Sequence, residues 1–351
     1  MHIGVDTHKV QHVLAALDDQ GRRRGTHRSP NTPEGWADAL AWARSLGDTR
    51  QWGIENSGSL GKGFAQAMLR QGETAVCEVS PQRTAQYRRH GRSQDKTDDT
   101  DALAIARLLV AEGEQLPAVR RDDLSTELRL LSDHRDNLLV ERTRLINQVH
   151  AQMLQVDPSY KEKSGPLTEA RGVAYCRDLV VPDADRLMRT RLLIVHQLAA
   201  QILSLDGEIA ALTSELEWRV RESRTPLLAL RGVGTVVAAR LIGELGTTPR
   251  IPSAGALAAL SGISPVAVSS GGHGGYRLNR GGNRRLNRAI HIIALSQRRC
   301  APRARAYDAK KRAEGKTGRA AMRCLKRRLV DVLYRTLSRA DDSADAGACA
   351  A

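Results

Sequence analysis

The sequence predicts an α/β sheet domain, then long paired helices, then a mainly helical C-terminal domain. Three observations carry this. Strand-like and helix-like apolar patterns alternate from residue 1 to about 115. From Leu124 the apolar residues fall on a near-heptad seam. After Pro226 the chain is a series of helix-compatible stretches loaded with arginine. Alternating strands and helices build a sheet with helices packed on it, whereas sustained helical spacing builds helix pairs.

Taken in order, "HIGVD" is a short apolar run ending in Asp6, and "QHVLAALDD" is a second strand with a turn-like end. "GTHRSPNTP" is polar and turn-rich and fits a third, edge strand. "EGWADALAWARSLG" has helical spacing at Trp36, Leu40, Ala43 and Leu46 and closes on Gly47. "QWGIENSG" is a strand in which Ile54 precedes Glu55. "GKGFAQAMLRQG" is a helix and "TAVCEVSP" a strand. The helix after it begins in "KTDDTDALAIARLL". The domain expected from this is 1–118. "SGSLGKG" imitates part of a phosphate-binding loop, but Asn56 stands where the first glycine belongs and Gly63 where Ser or Thr belongs.

Residues 119–224 change character. One seam runs through Leu124, Leu128, Leu131, Leu138, Leu145 and Val149, and a second through Ile194, Leu198, Leu205, Ile209, Leu212 and Leu216. The segment "DPSYKEKSGP" separates them. Two readings stay open: an antiparallel coiled-coil arm, or an ordinary helical hairpin packed on its own core. Either is a spacer or an assembly surface.

A C-terminal domain is expected over 225–340, with a disordered tail at 341–351. "LLALRGVGTVVAARLIGELG" reads as helix, Gly-x-Gly turn, helix, the pattern of a helix-hairpin-helix. Gly232 and Gly234 would let backbone N–H groups approach a phosphate. From Gly271 to Arg339 there are 20 Lys and Arg against 3 Asp and Glu, a local +17. The whole chain of 351 residues carries only +15. A single-sign block of that size points to a polyanion, with nucleic acid ahead of an anionic membrane surface. Arg277, Arg280, Arg284, Arg285 and Arg288 are the expected phosphate contacts. Aromatic residues are only 3%, with one Phe, which argues against a base-stacking sheet.

The cysteines at 77, 176, 300, 324 and 349 form no C-x-x-C pair, so neither a zinc site nor a disulfide framework is expected. The sequence shows no signal-peptide pattern and no apolar run near the ~20 residues of a membrane span. A cytoplasmic protein with no membrane partner is expected.

The chemistry centres on acids. Asp6 and Glu55 end strands, while Asp98 and Asp101 lie three apart at a helix start and so share a face. Ligand sites in open α/β sheets gather where strands end and helices begin. Four carboxylates meeting there are tolerable with divalent cations between them, and hard oxygen ligands suit Mg²⁺ or Mn²⁺. Singly, each acid has a plainer role as a turn, surface or capping residue; their shared placement is what favours a metal. Asp95 and Asp99 are expected to be caps or bystanders. Ser269 and Ser270 sit in a Gly-rich segment just ahead of the arginines. A hydroxyl there could attack a phosphodiester if a metal or a base from elsewhere activated it.

These motifs resemble a known family. "GVDTHK", "IENSG" and "KTDDTDALAIARLL", followed by "LRGVGTVVAARLIGELG", "LAALSGISP", "SSGG" and "NRGGNRRLNRAI", are similar in order and content to the DEDD insertion-sequence transposases. The likeness spans nearly the whole chain. It implies an RNase H-type, RuvC-like first domain, a coiled coil and a C-terminal transposase domain. It also implies a carboxylate tetrad at Asp6, Glu55, Asp98 and Asp101, with Mg²⁺ or Mn²⁺ as cofactor. The implied nucleophile is Ser270, with Ser269 as the fallback, forming a covalent 5′-phosphoserine. Donor and target DNA, a structured bridge RNA and a tetramer built from dimers are the implied partners. The aromatic often found after the strand glutamate is missing from "NSGSLGKG". Two other readings remain: a junction endonuclease using water, with Ser270 structural, and a non-catalytic nucleic-acid scaffold.

Overall fold

The first apolar runs become strands in the computed structural model, which describes residues 1–89, 97–246, 251–270 and 273–348. The chain divides into two units, Met1–Asp122 and Asp123–Ala351.

In the first unit β1 (His2–Thr7), β2 (Gln11–Leu17) and β3 (Arg23–Pro30) form an antiparallel meander, and β3 is the edge strand. Helix α1 (Pro33–Ser45) leads to β4 (Gln51–Glu55), which lies parallel to β1. Helix α2 (Lys62–Arg70) leads to β5 (Val76–Val79), parallel to β4. The strand order is β3-β2-β1-β4-β5. Two helices follow, α3 (Pro81–Arg89) and α4 (Asp98–Glu112). Helix α3 is absent from the sequence reading. Pro81 at its start is the usual mark of a first helical turn, but its polar residues give no apolar stripe to read.

Both faces of this sheet are covered, which is why β2 reads as an unbroken apolar run. Ile3, Val5, Leu14, Trp52 and Ile54 pack with Leu40 of α1 and Phe64 and Met68 of α2. On the other face Val13 and Ala15 meet Ala102 of α4, while Cys77 and Val79 meet Ile105, Leu108 and Leu109.

The second unit starts with α5 (Leu124–Val156), α6 (Tyr160–Ser164), α7 (Ala170–Asp178) and α8 (Arg186–Glu222). Helices α5 and α8 run antiparallel. Glu127 bonds Arg219, Arg135 bonds Thr213, Arg142 bonds Asp206 and Gln152 bonds Arg191, so the partner number falls as the first rises. The seam feeds two cores. Leu145, Val149, Val195 and Ile202 pack with Tyr160, Val173 and Cys176. Leu128, Leu216 and Val220 pack with the C-terminal helices. Among the described residues α8 is long and apolar enough to cross a membrane, by length and composition only. Its Leu192, Val195, Ala199 and Ile202 are nonetheless buried in the unit.

Beyond α8 the expected helix-hairpin-helix does not form. The segment before the glycines makes only a 3₁₀ turn, Pro226–Ala229, ahead of α9 (Thr235–Leu245). Pro226 starts that turn, and Gly232 soon leaves the helical region with φ +86°. Next come α10 (Ala254–Leu260), a hairpin of β6 (Val266–Ser270) and β7 (His273–Arg277), α11 (Arg284–Cys300), α12 (Pro302–Ala313) and α13 (Gly318–Ala348). Part of the Gly-rich segment thus lies in paired strands. Helix α13 also takes in most of the expected disordered tail, as far as Ala348. Residues 349–351 lie outside the described residues.

Candidate active site

The acidic site is built by two glycines. In a strand, alternate residues face the same side. Gly4 and Gly53 are paired across β1 and β4, and Asp6 and Glu55 stand two residues further along the same strands. A Cβ at Gly4 would lie 2.2 Å from the Ala102 carbonyl oxygen and 2.4 Å from the Ala106 nitrogen. A Cβ at Gly53 would lie 3.0 Å from Ile105 and Leu109. Without these side chains α4 settles directly on the strands, and its acidic first turn comes to the ends where Asp6 and Glu55 emerge. The Thr7 hydroxyl donates to the Glu55 carbonyl at 2.9 Å and ties those two ends together.

The acids do meet. Asp6 and Glu55 are buried. Burial raises the Asp6 carboxyl above its ordinary range, with Asp101 and Asp98 adding to the rise and His8 opposing it. Glu55 is pushed up to about 6, first by burial and then by the charges of Asp6 and Asp101; Thr84 and Arg88 act the other way. Buried carboxyls raised in this way by burial and by neighbouring acids are a feature of functional sites. The donor set fits a divalent ion. Asp6, His8 and Asp98 each offer one ligand atom, and these atoms all lie within 4.8 Å of one another.

The structure also separates the roles of the other acids. The cap of α4 is Thr97, whose hydroxyl accepts from the Thr100 N–H at 3.2 Å in a reciprocal capping box. Asp98 is therefore free of capping duty. Asp99 turns to Arg28 at 2.5 Å, as a bystander should. Asp95 lies outside the described residues. Asp101 forms an ion pair with Arg88 of α3.

His8, Arg88 and Thr84 were missed in the sequence. His8 had a readable signal, since it stands two residues after Asp6, just past the end of β1. Arg88 and Thr84 had none, because α3 has no periodic apolar face.

In the second unit, Ser269 and Ser270 end β6, paired in register with Gly274 and His273. Gly232 faces Ser296 of α11, where a Cβ would stand 3.1 Å away, while Gly234 precedes α9 with nothing near it. Gly232 thus has two structural reasons to be glycine, its φ of +86° and its closeness to Ser296. Arg277, Arg280, Arg284, Arg285 and Arg288 are all exposed. Leu286, Ala289, Ile290 and Ile293 hold the opposite face of α11 in the core.

Two of the arginines are engaged. Arg285 lies 3.1 Å from Asp133 and 3.7 Å from Glu244, and Arg288 lies 3.9 Å from Asp136. Buried Arg240 of α9 binds the same three acids. No sequence pattern announces this network, since Asp133 and Asp136 lie on α5, far from α11 in the chain. Among the described residues Arg277, Arg280 and Arg284 have no ion pair.

Comparison with known proteins bears on both halves. A DEDD family model of the IS110 type, described as "Transposase", matches residues 3–158. A second, described as "Transposase IS116/IS110/IS902 family", matches residues 224–309. The chain is 27% identical to the "Insertion element IS900 uncharacterized 42 kDa protein" of Mycobacterium paratuberculosis, over 95% of this chain and 94% of the relative. It is 28% identical to the "Insertion element IS116 uncharacterized 44.8 kDa protein" of Streptomyces clavuligerus, with the same coverage of both. A "Transposase for insertion sequence element IS1328" of Yersinia enterocolitica is 26% identical over 56% of this chain and 57% of its own length.

Proposed function

Because this chain belongs to the IS110 family of insertion-sequence transposases, enzymes that break and rejoin DNA, we propose that it is a bridge-RNA-guided, site-specific recombinase using Ser270 and the acids Asp6, Glu55, Asp98 and Asp101. One observation carries the reading: Asp6 and Glu55 emerge side by side from parallel strands, within electrostatic reach of the acidic first turn of α4. The strand order β3-β2-β1-β4-β5, antiparallel then parallel, supports an RNase H-type, RuvC-like domain.

In this mechanism the Ser270 hydroxyl attacks a backbone phosphorus. The Ser Oγ–P bond forms as the P–O3′ bond breaks, leaving a 5′-phosphoserine and a 3′-hydroxyl that takes up a proton. A 3′-hydroxyl from the partner strand then reverses the step, so the phosphodiester is kept without an external energy source. Asp6, Glu55, Asp98 and Asp101 would hold Mg²⁺ or Mn²⁺, which when bound would supply charge to the phosphoryl oxygens and favour ionisation of the hydroxyl. Asp6 and Glu55 are held rigid by the strands, and Asp98 and Asp101 by the capped turn of α4. The arginine-rich helices hold nucleic-acid backbone, and base pairing with the RNA selects the target, which suits a basic chain poor in aromatic residues. A homotetramer brings serines and acids from several subunits to one junction.

The test incubates protein, the RNA that co-purifies with it and donor and target DNA, then seeks a protease-sensitive DNA adduct. Ser270→Ala should abolish both adduct and cleavage. Cleavage that survives in this variant would identify a water-using junction nuclease. Full transposition in cells by Asp6→Ala and Asp101→Ala variants would leave only a scaffold role.

A further inference from the structure

His8 stands in the acidic site although no four-carboxylate scheme includes it. Its Nε2 lies 3.0 Å from Asp6 Oδ2 and 3.4 Å from Asp98 Oδ1. We propose that His8 is a nitrogen ligand of the divalent ion held by Asp6 and Asp98, and that it tilts the site toward Mn²⁺ over Mg²⁺. The inference rests on the reading of these two aspartates as metal ligands and adds the donor that sets the choice of metal.

The spacing suits ligation. Two atoms bound to one ion at about 2.0–2.2 Å can be no more than about 4.4 Å apart. Both His8 distances fall inside that limit. The position is also imposed from below. The His8 N–H donates to His12 Nδ1 at 3.4 Å, and Asn31 Nδ2 donates to the His8 carbonyl at 3.4 Å. His12 is fully buried, and its Nε2 meets Asn31 Oδ1 at 3.0 Å. The β1–β2 connection is thus tied to buried His12 and half-buried Asn31, and the His8 ring beside the acids keeps a half-exposed edge. A solvent-facing histidine could pair with one acid by chance. A histidine with one nitrogen against two carboxylate oxygens, on a backbone fixed in this way, is built into the site.

The donor chemistry gives the selectivity. Mg²⁺ takes oxygen ligands and gives up its waters reluctantly, whereas Mn²⁺, though the weakest binder of the first-row transition ions, accepts a nitrogen donor more readily. Exchanging one oxygen for a nitrogen therefore strengthens Mn²⁺ binding more than Mg²⁺ binding.

The experiment titrates the full-length protein with Mn²⁺ alone and follows it by electron paramagnetic resonance, with electron spin-echo modulation to detect bound ¹⁴N. Wild-type protein should bind Mn²⁺ and show ¹⁴N modulation. His8→Ala should lose the modulation and bind Mn²⁺ about tenfold more weakly. Mg²⁺ affinity, read by competition, should fall by less than about threefold. His8→Gln, which offers an oxygen at similar reach, should retain Mn²⁺ without ¹⁴N modulation. Wild-type protein that binds Mn²⁺ without ¹⁴N modulation would overturn the proposal and leave the carboxylate site standing, as would modulation that persists in His8→Ala. Failure of wild-type protein to bind either ion would overturn the carboxylate site and the proposal together.

Discussion

A methyl group on Gly4 of β1 would stand 2.2 Å from the carbonyl oxygen of Ala102 in α4. The first turn of α4 reaches the strand ends because that methyl is absent. Gly4→Ala should therefore push α4 off the sheet, at a cost of about 1–3 kcal/mol in urea unfolding, and should weaken Mn²⁺ binding. Gly58→Ala is the control, since nothing lies within 4 Å of its added carbon. Equal stability of the two variants would contradict this account of how the site is assembled.

Glu55 predicts a pH dependence. Its carboxyl is raised from 4.5 to about 6 in the folded protein. The folded state thus holds a proton that the unfolded chain releases between those values. The stability this group contributes is greatest below pH 4.5 and is lost as pH rises through about 6. At pH 7.5 the ionised group costs up to about 2 kcal/mol, at ~1.4 kcal/mol per tenfold change in proton affinity. Glu55→Gln should be more stable than wild type by up to that amount in EDTA at pH 7.5, and equal to it at pH 4.5. Added Mg²⁺ should shrink the difference. Denaturation curves at both pH values check all three outcomes.

Arg88 occupies Asp101 through an ion pair in which both side chains are mostly buried. A cation entering the site competes with that guanidinium. Arg88→Ala should lower metal-free stability by about 2 kcal/mol, because a charged hydrogen bond is lost beside other acids. It should also tighten Mn²⁺ binding in calorimetry. Weaker Mn²⁺ binding would make Arg88 a support of the site instead of a competitor.

The arginines divide into two groups by their partners. Replacing Arg277, Arg280 and Arg284 with alanine should flatten the log–log salt dependence of nucleic-acid binding by up to ~0.9 per lost phosphate contact. Replacing Arg285 and Arg288 should flatten it less per residue, since Asp133, Asp136 and Glu244 partly offset their charge. An equal change per residue in the two groups would mean that these ion pairs open when nucleic acid binds.

The sequence by itself determined the strand and helix order of the first unit, the two long helices, the placement of Asp6 and Glu55 at strand ends and of Asp98 and Asp101 on one helix face, and the basic C-terminal block. Those features are local: period-two and period-3.6 apolar patterns and charge density are written within a few turns of chain. Helix α3, the 3₁₀ turn at Pro226 and the hairpin of β6 and β7 escaped it, because polar or glycine-rich segments carry no such period. Only tertiary structure decided that His8 joins Asp6 and Asp98, that Arg88 takes Asp101, and that Asp133 and Asp136 pair with Arg285 and Arg288. These are contacts between surfaces brought together by close packing. Gly4 shows the reason: which side chains meet depends on how near α4 can approach the sheet, and the helix pattern alone does not specify that distance.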